Sequence, residues 1–351
     1  MTAAGRTNGS AAQRRLPWAA AWALLALACY ALAGRGRAAA ADAGGRIVYA
    51  SHDGIYVATP GGATQRIWQA PAGKAAAEPR WSPDGTHIAF AAPEGNIWVM
   101  NADGAQVHAV NAQAVAPAGC ETEICTAPGT VADSPRWSPD GGLVSYRLVS
   151  DLARASIWTA PASGGAAPRR LAGATDLCMF NEGWSPEGRP LFSRCASDSS
   201  PSNATYAAVD SATRPVVAGS QLAYAADGAR LAFSSQSFSH GSFSVELFIA
   251  NADGNGARLV ADGGQNPAWS HAGLLAYRVS GADGWEIHVF DPATGHDAAL
   301  GVGAVMGWSP DGGWLLYTTQ SDAGATTIWR MHADGAEAQQ VATGDSPDWA
   351  S

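Results

Sequence analysis

The chain has 351 residues and is acidic, with 21 Lys+Arg against 30 Asp+Glu and a formal net charge of −9. That balance makes it a poor partner for nucleic acid or anionic membrane surfaces. The length would accommodate two domains, but one large ring of repeats also uses it fully.

Residues 1–43 read as a targeting segment. Arg14 and Arg15 precede an apolar run from Leu16 to Gly34, and small residues with A-x-A sites follow at Ala38 to Ala43. This is the grammar of a secretory signal peptide. The run also approaches the length of a membrane span, and Arg35 and Arg37 lie between it and the cleavage sites. An uncleaved anchor over residues 16–34, facing the periplasm, is therefore the alternative, with a lipoprotein at Cys29 the third. Each exports residues 44–351. Removing Arg6, Arg14, Arg15, Arg35, Arg37 and Asp42 leaves 16 basic and 29 acidic residues, a mature charge near −13.

The first strands are expected at RIVYAS and GIYVAT, Arg46 to Thr59. A repeating theme follows. It reads PRWSPDGTHIAF from Pro79, PRWSPDGGLVSY from Pro135, GWSPEGRPLF from Gly183 and LAYAADGARLAF from Leu222. It returns as PAWSHAGLLAY from Pro267, GWSPDGGWLLY from Gly307 and a closing fragment, SPDWAS, from Ser346. The aromatic slot is Trp81, Trp137, Trp184, Tyr224, Trp269, Trp308 and Trp349, at spacings of 56, 47, 40, 45, 39 and 41 residues. Each unit has the same order. A strand carries the aromatic; a Ser-Pro-Asp-Gly turn follows, in which Pro presets φ, Asp bonds downstream backbone and Gly takes positive φ. An alternating apolar strand comes next, then a variable loop, a third strand such as NIWVM or TIWRM, an NADG or HADG turn and a weaker fourth strand.

Four antiparallel strands per roughly forty residues make one blade of a β-propeller. Seven slots predict an all-β, seven-bladed propeller over residues 44–351. The last slot has no strands after it and the first strands have no Trp strand before them. Strand Asp348–Ser351 is therefore expected to pair with Ile47–Ala50, closing the ring and removing its sheet edges.

The repeat resembles the TolB-type propeller repeat, a WD-like blade with a Pro-Asp-Gly signature, over residues 46–351. The resemblance implies fold more than function. The same blade occurs in periplasmic scaffolds, in the propeller halves of prolyl-oligopeptidase-like enzymes and in some polysaccharide lyases. The 45 residues before the first strand are too few for TolB's N-terminal α/β domain, so TolB's role and its binding of the peptidoglycan-associated lipoprotein are not carried over.

Four cysteines follow the leader: Cys120, Cys125, Cys178 and Cys195. An even count in an exported chain suggests disulfides with three possible connectivities. Local pairing, Cys120–Cys125 and Cys178–Cys195, is the simplest, and the spacings fit no zinc pattern.

Short regular turns on one face leave the variable loops on the other. Binding residues concentrate on loops held by a rigid scaffold. Glu123, His240 and Trp285 are loop-tip candidates there, with substitutions expected to cost little stability. Counting from the first-turn Gly places Arg147, Arg194 and Arg278 at one ring position. There they either converge on an anion or pair with the loop acids Asp151, Asp198 and Asp283. The first strands start nearest the axis with Arg80, Arg136, Glu182, Gln221, Asn266, Met306 and Asp345, a polar channel mouth. Residues 251–262, NADGNGARLVAD, mimic a calcium loop, but the same NADG in the second blade is a hairpin turn. No G-x-S-x-G, H-E-x-x-H or phosphate loop appears and no histidines stand at metal spacing.

The expectation is an exported, monomeric, non-enzymatic scaffold of the cell envelope that needs no cofactor or metal and binds a protein or peptide. The alternative is a propeller lyase or hydrolase acting on an anionic glycan at the channel mouth, with arginines on carboxylates and His240 as base.

Overall fold

A computed structural model describes residues 45–111, 131–149, 155–172, 179–194, 204–209, 212–239, 242–282, 284–321 and 323–350. The leader, all four post-leader cysteines, Glu123, His240, Asp151, Asp198 and Asp283 lie outside these residues.

The described chain forms seven four-stranded antiparallel sheets. Blade 1 is β28 (Asp345–Trp349), β1 (Ile47–Ser51), β2 (Gly54–Ala58) and β3 (Thr64–Gln69), from the inside outward. Blade 2 is β4 (Ala77–Trp81) to β7 (His108–Ala109). Blade 3 is β8 (Val131–Trp137) to β11 (Arg169–Ala172). Blade 4 runs from β12 (Met179–Trp184) to β15 (Ala212–Val217), and blade 5 from β16 (Ser220–Tyr224) to β19 (Arg258–Asp262). Blade 6 runs from β20 (Gln265–Trp269) to β23 (His296–Val302), and blade 7 from β24 (Ala304–Trp308) to β27 (Gln339–Thr343). The closing strand is β28, paired Ile47↔Trp349, Val48↔Asp348 and Ala50↔Asp345. It begins three residues earlier than the sequence reading places it, and one of its residues is the extra one of a bulge between Asp345 and Asp348.

Alternation along each strand builds the core. Ile47 and Tyr49 face blade 7, packing with Trp314, Leu316 and Ile328. Their neighbours Val48 and Ala50 face blade 2, packing with Trp81, Ile88 and Phe90. The same division gives one apolar cluster at each of the seven seams. With period-2 side chains, every sheet is buried on both faces and only its outer edge and ends meet water.

The repeated aromatic does more than fill space. The indole Nε1 of Trp137 donates to the Arg80 carbonyl at 3.0 Å, that of Trp184 to Arg136 O at 3.1 Å, Trp269 to Ala223 O at 3.2 Å and Trp308 to Ala268 O at 2.9 Å. Each of these four Trp thus stitches its blade to the residue before the aromatic slot in the preceding blade, whereas the indole nitrogens of Trp81 and Trp349 are buried without a partner. Tyr224 is too short for that reach and bonds Ala252 O within its own blade.

The Ser-Pro-Asp-Gly turns behave as their residues require. Asp84 Oδ1 accepts from Thr86 N at 3.0 Å, Asp140 Oδ1 from Gly142 N and Asp311 Oδ1 from Gly313 N, each also at 3.0 Å. The Ser82 and Ser138 hydroxyls donate to the same Asp oxygens at 2.6 Å and accept the N–H five residues on. In the NADG turns, Gly104 and Gly254 have φ of +86° and +84°. A Cβ there would lie 1.9 and 2.1 Å from the Ile67 and Val216 carbonyl oxygens of the preceding blade's outer strand. Glycine is needed at both for close backbone approach. Residues 251–255 make this hairpin turn, with Asp253 Oδ1 accepting from Asn255 N at 2.9 Å.

Candidate functional site: the channel mouth

The first strand of every blade carries a register shift two or three residues before its aromatic slot. In five blades the bulged residue is non-glycine with left-handed φ: Glu78 (52°), Ser134 (54°), Gln221 (55°), Asn266 (52°) and Ser346 (52°). A bulge leaves one N–H without a ladder partner. In four of the five the next residue is Pro79, Pro135, Pro267 or Pro347, which has no N–H to leave unsatisfied. In the fifth it is Leu222, whose N–H donates to Glu182 Oε2 at 3.1 Å.

Side chains at the bulges link successive blades around the axis. Glu78 Oε2 accepts from Ser134 N at 2.5 Å, and Asn181 Nδ2 donates to Ser134 O at 2.8 Å. Glu182 Oε1 accepts from Gln221 N at 3.1 Å and from Ser193 Oγ at 2.5 Å. Gln221 Oε1 accepts from Asn266 N at 2.9 Å. Asp348 Oδ2 accepts from Trp81 N at 2.8 Å, and Arg80 Nη1 donates to Ser346 O at 3.1 Å, fastening the closing strand to blade 2. Burial raises the carboxyls of Glu182 and Asp348 above the usual carboxylate range, against the pull of these donors.

These residues surround a cavity of about 570 Å³. Its lining includes Arg80, Ser134, Arg136, Asn181, Glu182, Gln221 and Asn266 on the polar side, and Phe180, Leu222, Pro267, Val305 and Met306 on the apolar side. It reaches Gln236, beyond the Ser220↔Ser234 pair on the loop side, so it opens toward the variable loops. Phe180 and Met306 are 44% and 38% exposed, unusually open for large apolar side chains. A larger recess of about 760 Å³ lies among the turns of blades 1 and 2. There Arg46 already bonds Gly85 O and covers the Trp81 ring, and Asp103 accepts from Ala105 N.

Arg80, Arg136, Glu182, Gln221, Asn266 and Met306 all line the mouth cavity. Asp345 does not; it pairs with Ala50 at the strand start. Its bulged strand instead sets Asp348 in the slot of Arg80 and Arg136, directly before the aromatic. Counting back from each Trp, rather than in from the strand start, would have found Asp348 and Glu78. The guanidinium of Arg136 is lowered to about 10, chiefly by burial and then by the neighbouring Arg80 charge.

Arg147 and Arg278 occupy one ring position, opposite Asp133 and Gln265, but Arg194 does not: the shorter turn of its blade puts Ser193 there, opposite Phe180, and Arg194 one residue further on, opposite Met179. None of them lines the mouth cavity. Arg147 makes a bidentate pair with Asp133 of its own blade at 2.8 and 2.7 Å. Arg194 lies over the Phe192 and Tyr206 rings. Arg278 stacks on Trp285 at 4.1 Å, with its Nε buried and unpartnered. Trp285 is accordingly not an exposed loop tip: it is half-buried in β22 (Gly284–Asp291), paired with Ser280. Among the described residues, no group of three His, Cys, Asp or Glu is placed to hold a metal ion.

The blade count, the inside-out strand order and the closure by β28 settle the architecture. The fold is that of a TolB-like β-propeller. TolB from Acinetobacter baumannii is similar at 16% identity and a TM-score of 0.53, over 87% of this chain and 66% of that one. An oligogalacturonate lyase solved with manganese is similar at 10% identity and a TM-score of 0.62, over 87% of each chain. The propeller of a Pyrococcus furiosus trilobed protease, described as having an open velcro topology, is similar at 13% identity and a TM-score of 0.58, over 86% of this chain and 98% of that one. No family model and no curated protein matches the sequence. This chain spans about two thirds of the A. baumannii TolB. These neighbours are a TolB, a lyase and a protease propeller, and at these identities they share the fold.

Proposed function

We propose that the protein is an exported, non-enzymatic scaffold of the cell envelope that holds a protein or peptide partner on its loop-rich face. The observation that carries this reading is the mouth cavity. It sets exposed apolar side chains, Phe180 and Met306, beside polar groups on one rigid ring. A concave site with an apolar wall and a few convergent polar groups suits binding. The wall's acids are engaged by backbone N–H groups rather than by a base or nucleophile. The resemblance to TolB supports an envelope location, and the leader supports export.

The test is capture from an envelope extract with the full chain. A partner should be retained by wild type and by the turn-face variant Asp140→Ala. It should be lost from Phe180→Asp/Met306→Asp. The reverse pattern would move the binding site to the turn face. Turnover of an anionic glycan by the purified protein would replace the scaffold reading with the lyase one.

A further inference from the structure

Two charged groups in the mouth are only partly used by the fold. Arg80 and Arg136 are each anchored through Nη1 alone: Arg80 on Pro79 O at 2.9 Å and Ser346 O at 3.1 Å, Arg136 on Pro135 O at 3.0 Å. No other nitrogen of either guanidinium bonds a described residue, and neither lies within 4.0 Å of a described carboxylate oxygen. The nearby acids are differently placed. Glu78, Glu182 and Asp348 are close enough to act on Arg136 through space, yet Glu182 spends both oxygens, and Glu78 and Asp348 one each, on backbone N–H groups of the next blade. The result is two neighbouring guanidiniums on the cavity lining, each held by backbone carbonyls through Nη1, with Nε and Nη2 engaged by no described residue. The Nε/Nη2 edge is the geometry that receives a carboxylate through two parallel bonds. Across the same cavity the wall turns apolar, at Leu222, Val305, Met306 and Phe180.

We infer that the mouth takes the C-terminus of a partner polypeptide, with its α-carboxylate on Arg80 and Arg136 and the last side chain, an apolar one, against Leu222, Val305 and Met306. This rests on the scaffold reading and names its ligand. A carboxylated sugar would satisfy the arginines but carries hydroxyls around its ring, and the aliphatic wall offers them no partners. A free C-terminus offers one carboxylate with an apolar group on the adjacent carbon. The glutamine and asparagine at the bulges, Gln221 and Asn266, line the same cavity and suit a peptide's amides.

The experiment uses the full chain with two arrays of random decapeptides, one ending in a free carboxylate and one in a carboxamide. Binding should be confined to the free-acid array, with Leu, Ile, Val, Met or Phe enriched at the last position. For the best free-acid hit, amidation should weaken binding by about ten-fold or more, the order expected when a charge-assisted fork is lost. Arg80→Lys/Arg136→Lys, checked for an unchanged melting transition, should do the same, since Lys keeps the charge and loses the fork. Arg258→Lys, on the outer strand of blade 5 and outside the cavity, should leave the affinity unchanged. Equal binding of both arrays, binding to neither, or retention of oligogalacturonate instead would overturn the inference. If the envelope partner is still captured by Arg80→Lys/Arg136→Lys, the carboxylate inference falls and the scaffold stands. If wild type captures nothing, the scaffold itself falls.

Discussion

The two faces of the ring use the same residue types for opposite ends. On the turn face the polar side chains bond within a few residues of themselves. Ser82, Asp84 and Thr86 satisfy one another, as do Ser138 and Asp140 with Gly142 and Leu143. Those contacts repeat from blade to blade because the four-residue motif repeats. At the mouth the bonds run between blades, Glu78 to Ser134, Glu182 to Gln221 and Leu222, Asp348 to Trp81, and the residues differ in every blade. The repeated grammar builds the scaffold; the departures from it, at one end of each inner strand, make a surface on which individual blades differ. The partly engaged guanidiniums of Arg80 and Arg136 and the exposed Phe180 and Met306 are at that end.

The largest effect should come from the seam where the two ends of the ring meet. Ending the chain after Gly344 removes β28, and with it the inner strand of blade 1, the Trp349 contact of that seam and the tie from Ser346 to Arg80. It also exposes a sheet edge. Insoluble protein, or loss of a cooperative unfolding transition, is expected; an unchanged melting temperature would show that the ring does not depend on this closure.

Next is the stitch itself. Trp137→Ala and Trp308→Ala should each cost about 3–5 kcal/mol, read from urea midpoints at constant m, since each removes a large aromatic from a seam. Both also lose a bond to the preceding blade. Trp308→Phe should recover most of the volume but not the bond to Ala268 O, leaving a deficit of about 1 kcal/mol.

A smaller effect separates arginines that occupy one ring position. Arg147→Met should cost about 1–3 kcal/mol because Asp133 loses both its bonds in a half-buried site. Arg278→Met should be near neutral or stabilising. Its Nε is buried without a partner, burial lowers its pKa, and Met keeps contact with Trp285. Equal losses in the two variants would mean that the shared ring position matters more than the different partners.

The smallest effect is a pH dependence on the turn face. Asp84 is held down to about 2, first by the Ser82 hydroxyl and then by the Thr86 backbone and hydroxyl. A depressed carboxyl contributes stability that is fully present above its unfolded value near 4 and is lost as pH falls through about 2. Wild type and Asp84→Ala should therefore differ in stability at pH 6 and converge toward pH 2. The exposure of the turn keeps the difference modest. A gap that stays constant across that range would detach the turn's contribution from its charge.

Much of this was legible in the chain. Seven aromatic slots, Pro-Asp-Gly turns and period-2 apolar runs are local signals, and each fixes backbone geometry within a few residues. Blade number, strand order and ring closure therefore followed from them, as did the ring position shared by Arg147 and Arg278; the shorter first turn of blade 4 carried Arg194 one residue past it. The mouth was only half legible. Arg80, Arg136 and Glu182 could be placed near the axis, but the bulges that add a residue to each inner strand carry no strong sequence mark, so the bonds that Glu78 and Asp348 make to the next blade could not be read. The Pro after the bulge in four blades was the available clue. Which arginines stay only partly engaged was decided only in three dimensions. Arg147 is consumed by Asp133 across one sheet, Arg278 by a tryptophan brought beside it on the next strand, while Arg80 and Arg136 face a cavity whose acids are already occupied by a neighbouring blade. A sequence repeats its scaffold because every blade solves the same local problem. Its free charges depend on which side chains seven separate strands bring to one axis, and that is a property of the closed ring.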